Sequence, residues 1–307
     1  MSTMYFAATH TLQRGYFLGD VIGIIKSSWI MADSEPHEDY VLSLMRDDPL
    51  TFLWDRFIRE HRAEVIWDAW EPGNRERQYS EFDARRVSKL VKGRRFDTYK
   101  ELYPRLDGSD RQSIFNGGET GLGRSNIFEY YYFGQPRCDE LPPPVKSLEF
   151  GRGVVDMPPH APTEPLSAYI APWEKCQGNQ VYTHDFWREV VQKLLDAGVR
   201  VALNDNRGLM PPNFQHERLH VMFPEFRHLA AEMAQYTVTL SGNTGIGWMA
   251  GAGEYPLLVC EHPSMCFVEY GFEKCGFQSL KHTQVEPKPD ELVAQTLEVC
   301  REVHGAS

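Results

Sequence analysis

The stretch Tyr236-Thr-Val-Thr-Leu-Ser-Gly-Asn-Thr-Gly-Ile-Gly-Trp-Met-Ala-Gly-Ala-Gly-Glu-Tyr-Pro-Leu-Leu-Val-Cys260 decides the fold. It reads as a strand, a glycine-bearing turn, a short helix of small residues and a second buried strand. Thr237 to Leu240 favour the strand, and Ser241-Gly242-Asn243 is a turn signal. Met249, Ala250 and Ala252 suit a short helix, and Pro256 to Val259 resumes an apolar run. This order predicts backbone N–H groups of Thr244, Gly245 and Ile246 facing outward at a helix start. Orphan amides and the helix dipole both favour an anion at such a place. The expected ligand is a small molecule bearing phosphate, held by an α/β domain.

The alternation continues upstream of this stretch. Ala168 to Ile170 reads as a strand, and Thr183 to Ala197 as a helix capped by Thr183 and stopped by Gly198. Val199 to Leu203 and Leu219 to Phe223 read as strands, and Pro224 to Gln235 as a helix. A last helix is expected from Pro289 to about Val303.

The first part of the chain has the same rhythm. Met4 to Thr9 is a short strand, and Gly19 to Met31 a helix with apolar Val21, Ile22, Ile24, Ile25 and Trp29. Tyr40 to Met45 is a strand, Pro49 to Glu60 a helix with Pro in its first turn, and Ala63 to Trp67 a strand. Such a βαβαβ order implies a parallel sheet with crossover helices. Residues 71–125 lose the rhythm and read as an elaboration, a helix with a mobile loop. Ile127 to Phe133 is expected to begin another helix. Pro142-Pro143-Pro144 and Met157 to Pro165 resemble an interdomain connection. The expected fold class is therefore α/β, two Rossmann-like domains facing across a cleft, with residues 1–155 and 156–307 as the halves.

Composition bounds the function. The chain has 307 residues with 42% apolar and 24% charged side chains, the balance of a soluble globular protein. A formal net charge of −11 argues against a dedicated polyanion binder, although a local patch can override the summed field. The six cysteines form no C-x-x-C pair, so reduced, buried thiols in a cytoplasmic protein are expected. No signal peptide or stretch of ~20 apolar residues is evident.

The second half resembles the donor-binding half of GT-B glycosyltransferases, closest to the bacterial lipopolysaccharide heptosyltransferases. In that family an Asp-Thr-Gly-x-x-His-x-Ala turn and helix holds the diphosphate of a nucleotide-sugar. Asn243-Thr-Gly-Ile-Gly-Trp-Met-Ala250 stands at that place, followed by Gly253 and Pro256. Asn for Asp and Trp248 for His are departures; Asn keeps hydrogen bonding to sugar hydroxyls but loses a charge. The resemblance also implies a phosphate-contacting Lys175 in Ile170-Ala-Pro-Trp-Glu-Lys175. It puts Phe223, in His220-Val-Met-Phe-Pro-Glu225, beside a nucleobase, although a core aromatic fits that position equally.

In the first half, Gly15-Tyr-Phe-Leu-Gly-Asp-Val21 resembles the family's Leu-Gly-Asp-Val signature. The resemblance makes Asp20 the general base that takes the acceptor hydroxyl's proton, with Gly15 and Gly19 allowing close approach of the acceptor. An acid favoured by the helix dipole in a first turn explains Asp20 as well. The halves then become an acceptor side, 1–155, with its insertion at about 71–125, and a nucleotide-sugar donor side, 156–307. The nucleotide-sugar is a substrate, and no cofactor or metal is expected.

Three further patterns compete. His216-Glu-Arg-Leu-His220 matches the zinc-protease H-E-x-x-H, which requires a long helix. Here prolines flank it, and in a strand the two His lie ~13 Å apart, too far for one zinc. Gly118-Glu-Thr-Gly-Leu-Gly-Arg-Ser125 approximates a P-loop with Arg124 in the lysine position, and reads better as a glycine loop on the acceptor side. The basic run Arg85 to Arg95 reads as a solvated helix face, or as a grip on an anionic acceptor such as a phosphorylated glycan or DNA. The expected activity is metal-independent transfer of a sugar to an acceptor hydroxyl, on a glycan or on a modified nucleic-acid base. A nucleotide-sugar epimerase, a non-catalytic nucleotide-sugar binding protein and, less favoured, a zinc hydrolase through His216, Glu217 and His220 are the alternatives.

Overall fold

The computed structural model describes residues 3–7, 18, 21, 22, 25, 28, 29, 32, 38–45, 49–68, 98–101, 112–115, 118–123, 155–173, 182–242, 244–261, 280–285 and 287–305. The chain divides into two compact units. One comprises Met1–Leu148 with Gly153–Asp156, and the other Glu149–Arg152 with Met157–Ser307.

The first unit carries a six-stranded sheet: β1 (Thr3–Ala7), β2 (Asp39–Met45), β3 (Glu64–Asp68), β4 (Thr98–Glu101), β5 (Gln112–Phe115) and β6 (Gly118–Gly123), in the order β3-β2-β1-β4-β5-β6. β1 to β4 pair in parallel, whereas β5 and β6 join antiparallel. The described residues of the first helix, α1, are Leu18, Val21, Ile22, Ile25, Ser28, Trp29 and Ala32, all of them buried. Their spacing of three and four residues is the apolar stripe of a helix laid on a sheet. Tyr40, Val41, Leu42 and Leu44 of β2 are buried too, as expected for an inner strand covered on both faces.

Two expectations are corrected in this unit. The helix expected from Pro49 starts later, as a 3-10 turn at Thr51–Trp54 running into α2 (Asp55–His61). Pro49 sits in the preceding turn, and Arg62 ends the helix in the left-handed region at φ 51°. The described parts of 71–125 are strands β4, β5 and β6 rather than a helix with a loop. Gly118–Gly123 is itself a strand paired with β5, so the glycines form neither a P-loop nor a mobile loop. The β5–β6 pairing is carried by backbone hydrogen bonds, which glycine supplies as any other non-proline residue does. Arg124, the basic run 85–95, residues 127–133 and Pro142–Pro144 lie outside the described residues.

The second unit is built around β7 (Ser167–Ala171), β8 (Arg200–Asn204), β9 (Leu219–Met222), β10 (Val238–Gly242), β11 (Leu257–Glu261) and β12 (Leu280–Val285). Their order is β12-β11-β10-β7-β8-β9, and every pair is parallel. This is the doubly wound order of a Rossmann sheet, in which the chain works outward from β7 to one edge and then returns to β10 to build the other. Helices α3 (His184–Asp196), α4 (Phe226–Met233) and α5 (Gly245–Ala252) make crossovers, and α6 (Pro289–Gly305) follows the last strand.

Local chemistry explains the boundaries. Thr183 caps α3 by accepting the Phe186 N–H at 3.2 Å, and Gly198 leaves the helix at φ 81°. The cap contributes about 1 kcal/mol. One face of the sheet, with Ala168, Ile170, Val201, Leu203, Val238 and Leu240, packs on Trp187, Val190 and Leu194 of α3 and on Leu292, Val299 and Cys300 of α6. Burial pushes the Cys300 thiol up to about 11, and Cys260 and Cys300 are free and buried. Gly253, after α5, admits no side chain readily: a Cβ there would lie 2.9 Å from the Tyr255 ring and 3.0 Å from Met157. Tyr255 is held by its hydroxyl, which donates to Pro158 O at 2.7 Å. Among the described residues of this unit, the strand that the sequence pattern missed is β12, whose Leu-Lys-His-Thr-Gln-Val carries no apolar run.

Candidate functional site

In an open α/β sheet, ligands bind at the carboxyl ends of the strands where the winding reverses. In the second unit that point lies between β7 and β10. β10 ends at Gly242 and α5 begins at Gly245, with Thr244 as its N-cap. The Thr244 hydroxyl accepts the Gly247 N–H at 3.3 Å, and the Trp248 N–H donates to Thr244 O at 3.1 Å. The Thr244 N–H, expected to face outward, instead donates to Gly242 O at 2.8 Å. Only the Gly245 and Ile246 amides of the expected three are left without a partner among the described residues. Two open amides at the start of a helix are an arrangement suited to an anion.

The neighbouring strand ends continue the site. In register, Ser241 of β10 stands beside Ala171 of β7, and Asn204 of β8 beside Met222 of β9. The residues just beyond are Trp173, Asp205 and Phe223. Asp205 is 8% exposed, and its carboxylate accepts three N–H groups: Trp173 Nε1 at 2.7 Å, Arg207 N at 2.8 Å and Leu209 N at 2.6 Å. It thereby fixes the 205–209 loop, which turns at Gly208 with φ 71°, and the Trp173 indole together. The Arg207 guanidinium lies 5.0 Å from the Trp173 ring centroid, and His184 meets the same ring edge-on at 4.6 Å. Phe223 is 64% exposed and Phe226 42%. Phe223 is therefore not a core aromatic, the alternative that its sequence position left open.

The positions therefore form a row. Open amides stand at β10, an aromatic at β7, a cation at β8 and an exposed phenyl ring at β9. Three strand spacings separate the ends of this row, ~14 Å, the span of an extended nucleoside diphosphate from base to terminal phosphate. Below it, Ser241 Oγ is buried without a hydrogen-bond partner among the described residues, and Asn204 Nδ2 donates to the Tyr169 hydroxyl at 2.7 Å. Burial raises the Tyr169 phenol far above its ordinary range, so it stays neutral at any ordinary pH.

Of the residues read from sequence, Thr244, Gly245 and Phe223 fall in this row. Asn243, Lys175, Asp20, Gly15, Gly19 and Arg124 lie outside the described residues. Trp248, which stands where the family has His, is 7% exposed within α5. It is a packing residue rather than one presented to a ligand. Sequence reading missed Trp173, Asp205 and Arg207 as site residues. The signal available for them was Asp205-Asn-Arg-Gly208, a turn directly after an apolar strand.

The H-E-x-x-H pattern is not on a helix. His216 lies in a turn, where its Nδ1 accepts the Arg218 N–H at 3.1 Å, and His220 is an exposed residue of β9. The two-His helix face of a zinc protease is not formed, which removes the zinc hydrolase built on His216, Glu217 and His220. Among the described residues no group of three or more His, Cys, Asp or Glu is placed to hold a metal ion. Nor, among them, is any helix long and apolar enough to cross a membrane.

No protein-family model matches the sequence, and no curated protein matches it. Solved structures do match. The E. coli heptosyltransferase WaaC with ADP superposes with a TM-score of 0.53 at 12% identity, covering 99% of this chain and 100% of that one. The E. coli ADP-heptose lipopolysaccharide heptosyltransferase II gives 0.54 at 11% identity over 99% and 100%. A glycosyl transferase family 9 protein from Veillonella parvula gives 0.54 at 12% over 99% and 96%. The chain therefore has the fold of the heptosyltransferases along its whole length, two Rossmann-like α/β units of the GT-B type.

Proposed function

We propose that this heptosyltransferase-fold protein is a cytoplasmic glycosyltransferase, moving a sugar from a nucleoside-diphosphate-sugar donor to an acceptor hydroxyl without a metal ion. The observation that carries the reading is the row across the second unit: open amides at Gly245 and Ile246, Trp173 and Arg207 between, and exposed Phe223 at the far end. A nucleoside diphosphate matches it in length, with its phosphates at the amides and its base at Phe223. The donor half is assigned to residues 156–307 and the acceptor half to 1–155, with the acceptor a glycan rather than nucleic acid.

In the proposed reaction Asp20 takes the proton of the acceptor hydroxyl as its oxygen attacks the anomeric carbon. The bond from that carbon to the diphosphate breaks, and the diphosphate leaves as an anion. Lys175 and the α5 amides stabilise the growing charge, the task a metal ion performs in other transferases. Asn243 contacts the donor sugar, and Phe223 packs on the base. Gly15 and Gly19 let the acceptor approach, and Arg124 serves the acceptor side.

The test is acceptor-dependent release of nucleoside diphosphate from a panel of nucleotide-sugars. Asp20→Asn is expected to lower turnover by about 10²–10⁴ while leaving donor binding largely intact. Conversion of the donor sugar without an acceptor would favour an epimerase. Donor binding without any turnover would favour a binding protein. Full activity in Asp20→Asn would remove Asp20 from the mechanism.

A further inference from the structure

Arg207 stands apart from most arginines of the described residues. Arg56, Arg59, Arg188, Arg200 and Arg218 each hold a carboxylate. Arg207 is exposed, and its guanidinium has no ion-pair partner among the described residues, in a chain with 43 acids against 32 Lys and Arg. It is nevertheless held in place at three points. Its backbone N–H is bonded to Asp205, its side chain lies over the Trp173 ring, and that ring is itself bonded to the same Asp205.

The direction of this hold is informative. Arg207 follows β8, but its charge rests over Trp173, a residue that follows β7. The loop thus carries the cation from the end of β8 toward that of β7, the strand next to β10 in the sheet. A stacked guanidinium keeps its N–H edge free to grip a phosphate, and it has already lost much of the rotamer freedom that binding would cost it.

We infer that Arg207, stacked on Trp173 and set by Asp205, is a phosphate-gripping residue for the nucleoside diphosphate part of the donor. This rests on the nucleotide-sugar reading of the same site. A carboxylate would be the usual group for ribose hydroxyls at the end of a second Rossmann strand. Asp205 occupies that place, but it is 8% exposed with its carboxylate turned to three N–H donors, which leaves Arg207 as the exposed charged group of this loop. Asp205 acts through Arg207 and Trp173, as a positioning residue.

The experiment measures binding of ADP, GDP and UDP, and of adenosine, guanosine and uridine, to the full chain and to Arg207→Gln, Arg207→Lys and Trp173→Leu, each checked for native circular dichroism. Arg207→Gln is expected to weaken the best diphosphate about ten- to a hundredfold, as loss of a charged hydrogen bond does. Its effect on the matching nucleoside should be under about twofold, because that ligand has no charge to lose. Arg207→Lys should fall between, keeping the charge without the planar fork, and Trp173→Leu should resemble Arg207→Gln. The wild-type affinity should also fall with added salt more steeply than that of Arg207→Gln. Unchanged diphosphate affinity in Arg207→Gln, or an equal loss for nucleoside and diphosphate, would overturn this inference and leave the nucleotide-sugar reading standing. Failure of the wild-type chain to bind any of the three diphosphates would overturn both.

Discussion

The two sheets of this protein share one winding order and differ in strand direction. Numbered within each unit, both run 3-2-1-4-5-6, but the second is parallel throughout while the first turns antiparallel at its fifth and sixth strands. Parallel strands need a crossover connection for every step, so each strand end leads into a segment that leaves the sheet. The second unit has used those segments: Asp205 organises one, and Thr244 caps the helix of another. In the first unit β5 and β6 have no such crossover between them, and their connection is the two-residue gap at 116–117.

The largest expected stability effect sharpens that contrast. Asp205→Ala strands Trp173 Nε1 and the amides of Arg207 and Leu209, of which the Leu209 amide is buried. Leaving such donors unsatisfied is expected to cost about 2–4 kcal/mol. Denaturant unfolding should show the loss, and tryptophan fluorescence should report Trp173 released. A variant as stable as the wild type would mean that the loop holds itself, and that the strand ends of the two units are less different than they look.

A smaller effect concerns the segment that leads into the second sheet. Residues 157–165 are tied to it by Ala161 N to Ala234 O at 2.9 Å, Thr163 N to Gln235 O at 3.0 Å, and the His160 ring, whose Nε2–H donates to Tyr236 O at 2.9 Å. Burial against Tyr255 lowers the His160 pKa below the usual imidazole value. The unfolded chain therefore binds this proton more readily than the folded one. Stability is retained above the ordinary imidazole pKa and falls as the pH drops from there toward the folded value. Melting curves between neutral and mildly acid pH should show this decline, and His160→Gln should flatten it. A decline of equal slope in His160→Gln would assign it to other groups.

The same contrast governs how much could be read from the sequence. In the second unit α3 was legible to within a residue, because Thr183 and Gly198 punctuate it and its apolar stripe is regular. The strand, turn and short helix around β10 were legible because Gly242 and Thr244 punctuate them, Thr244 as the N-cap. Which amide remains open was not, since the Thr244 N–H is taken by a carbonyl only two residues away. Asp205 and Trp173 were invisible as a pair because 32 positions separate them and only the β7–β8 register brings them together. In the first unit β4 to β6 were missed because Thr-Tyr-Lys-Glu and the glycine-rich β6 lack an apolar run, their pairing being supplied by backbone hydrogen bonds.

The central claim, that the parallel unit holds a nucleoside diphosphate across its strand ends, is tested most directly by amide hydrogen exchange with and without saturating ADP, GDP or UDP. At least one of the three is expected to slow exchange at Gly245, Ile246 and the 205–209 loop, while β1 to β3 of the first unit exchange as before. No protection with any of them, or protection confined to the first unit, would contradict the account.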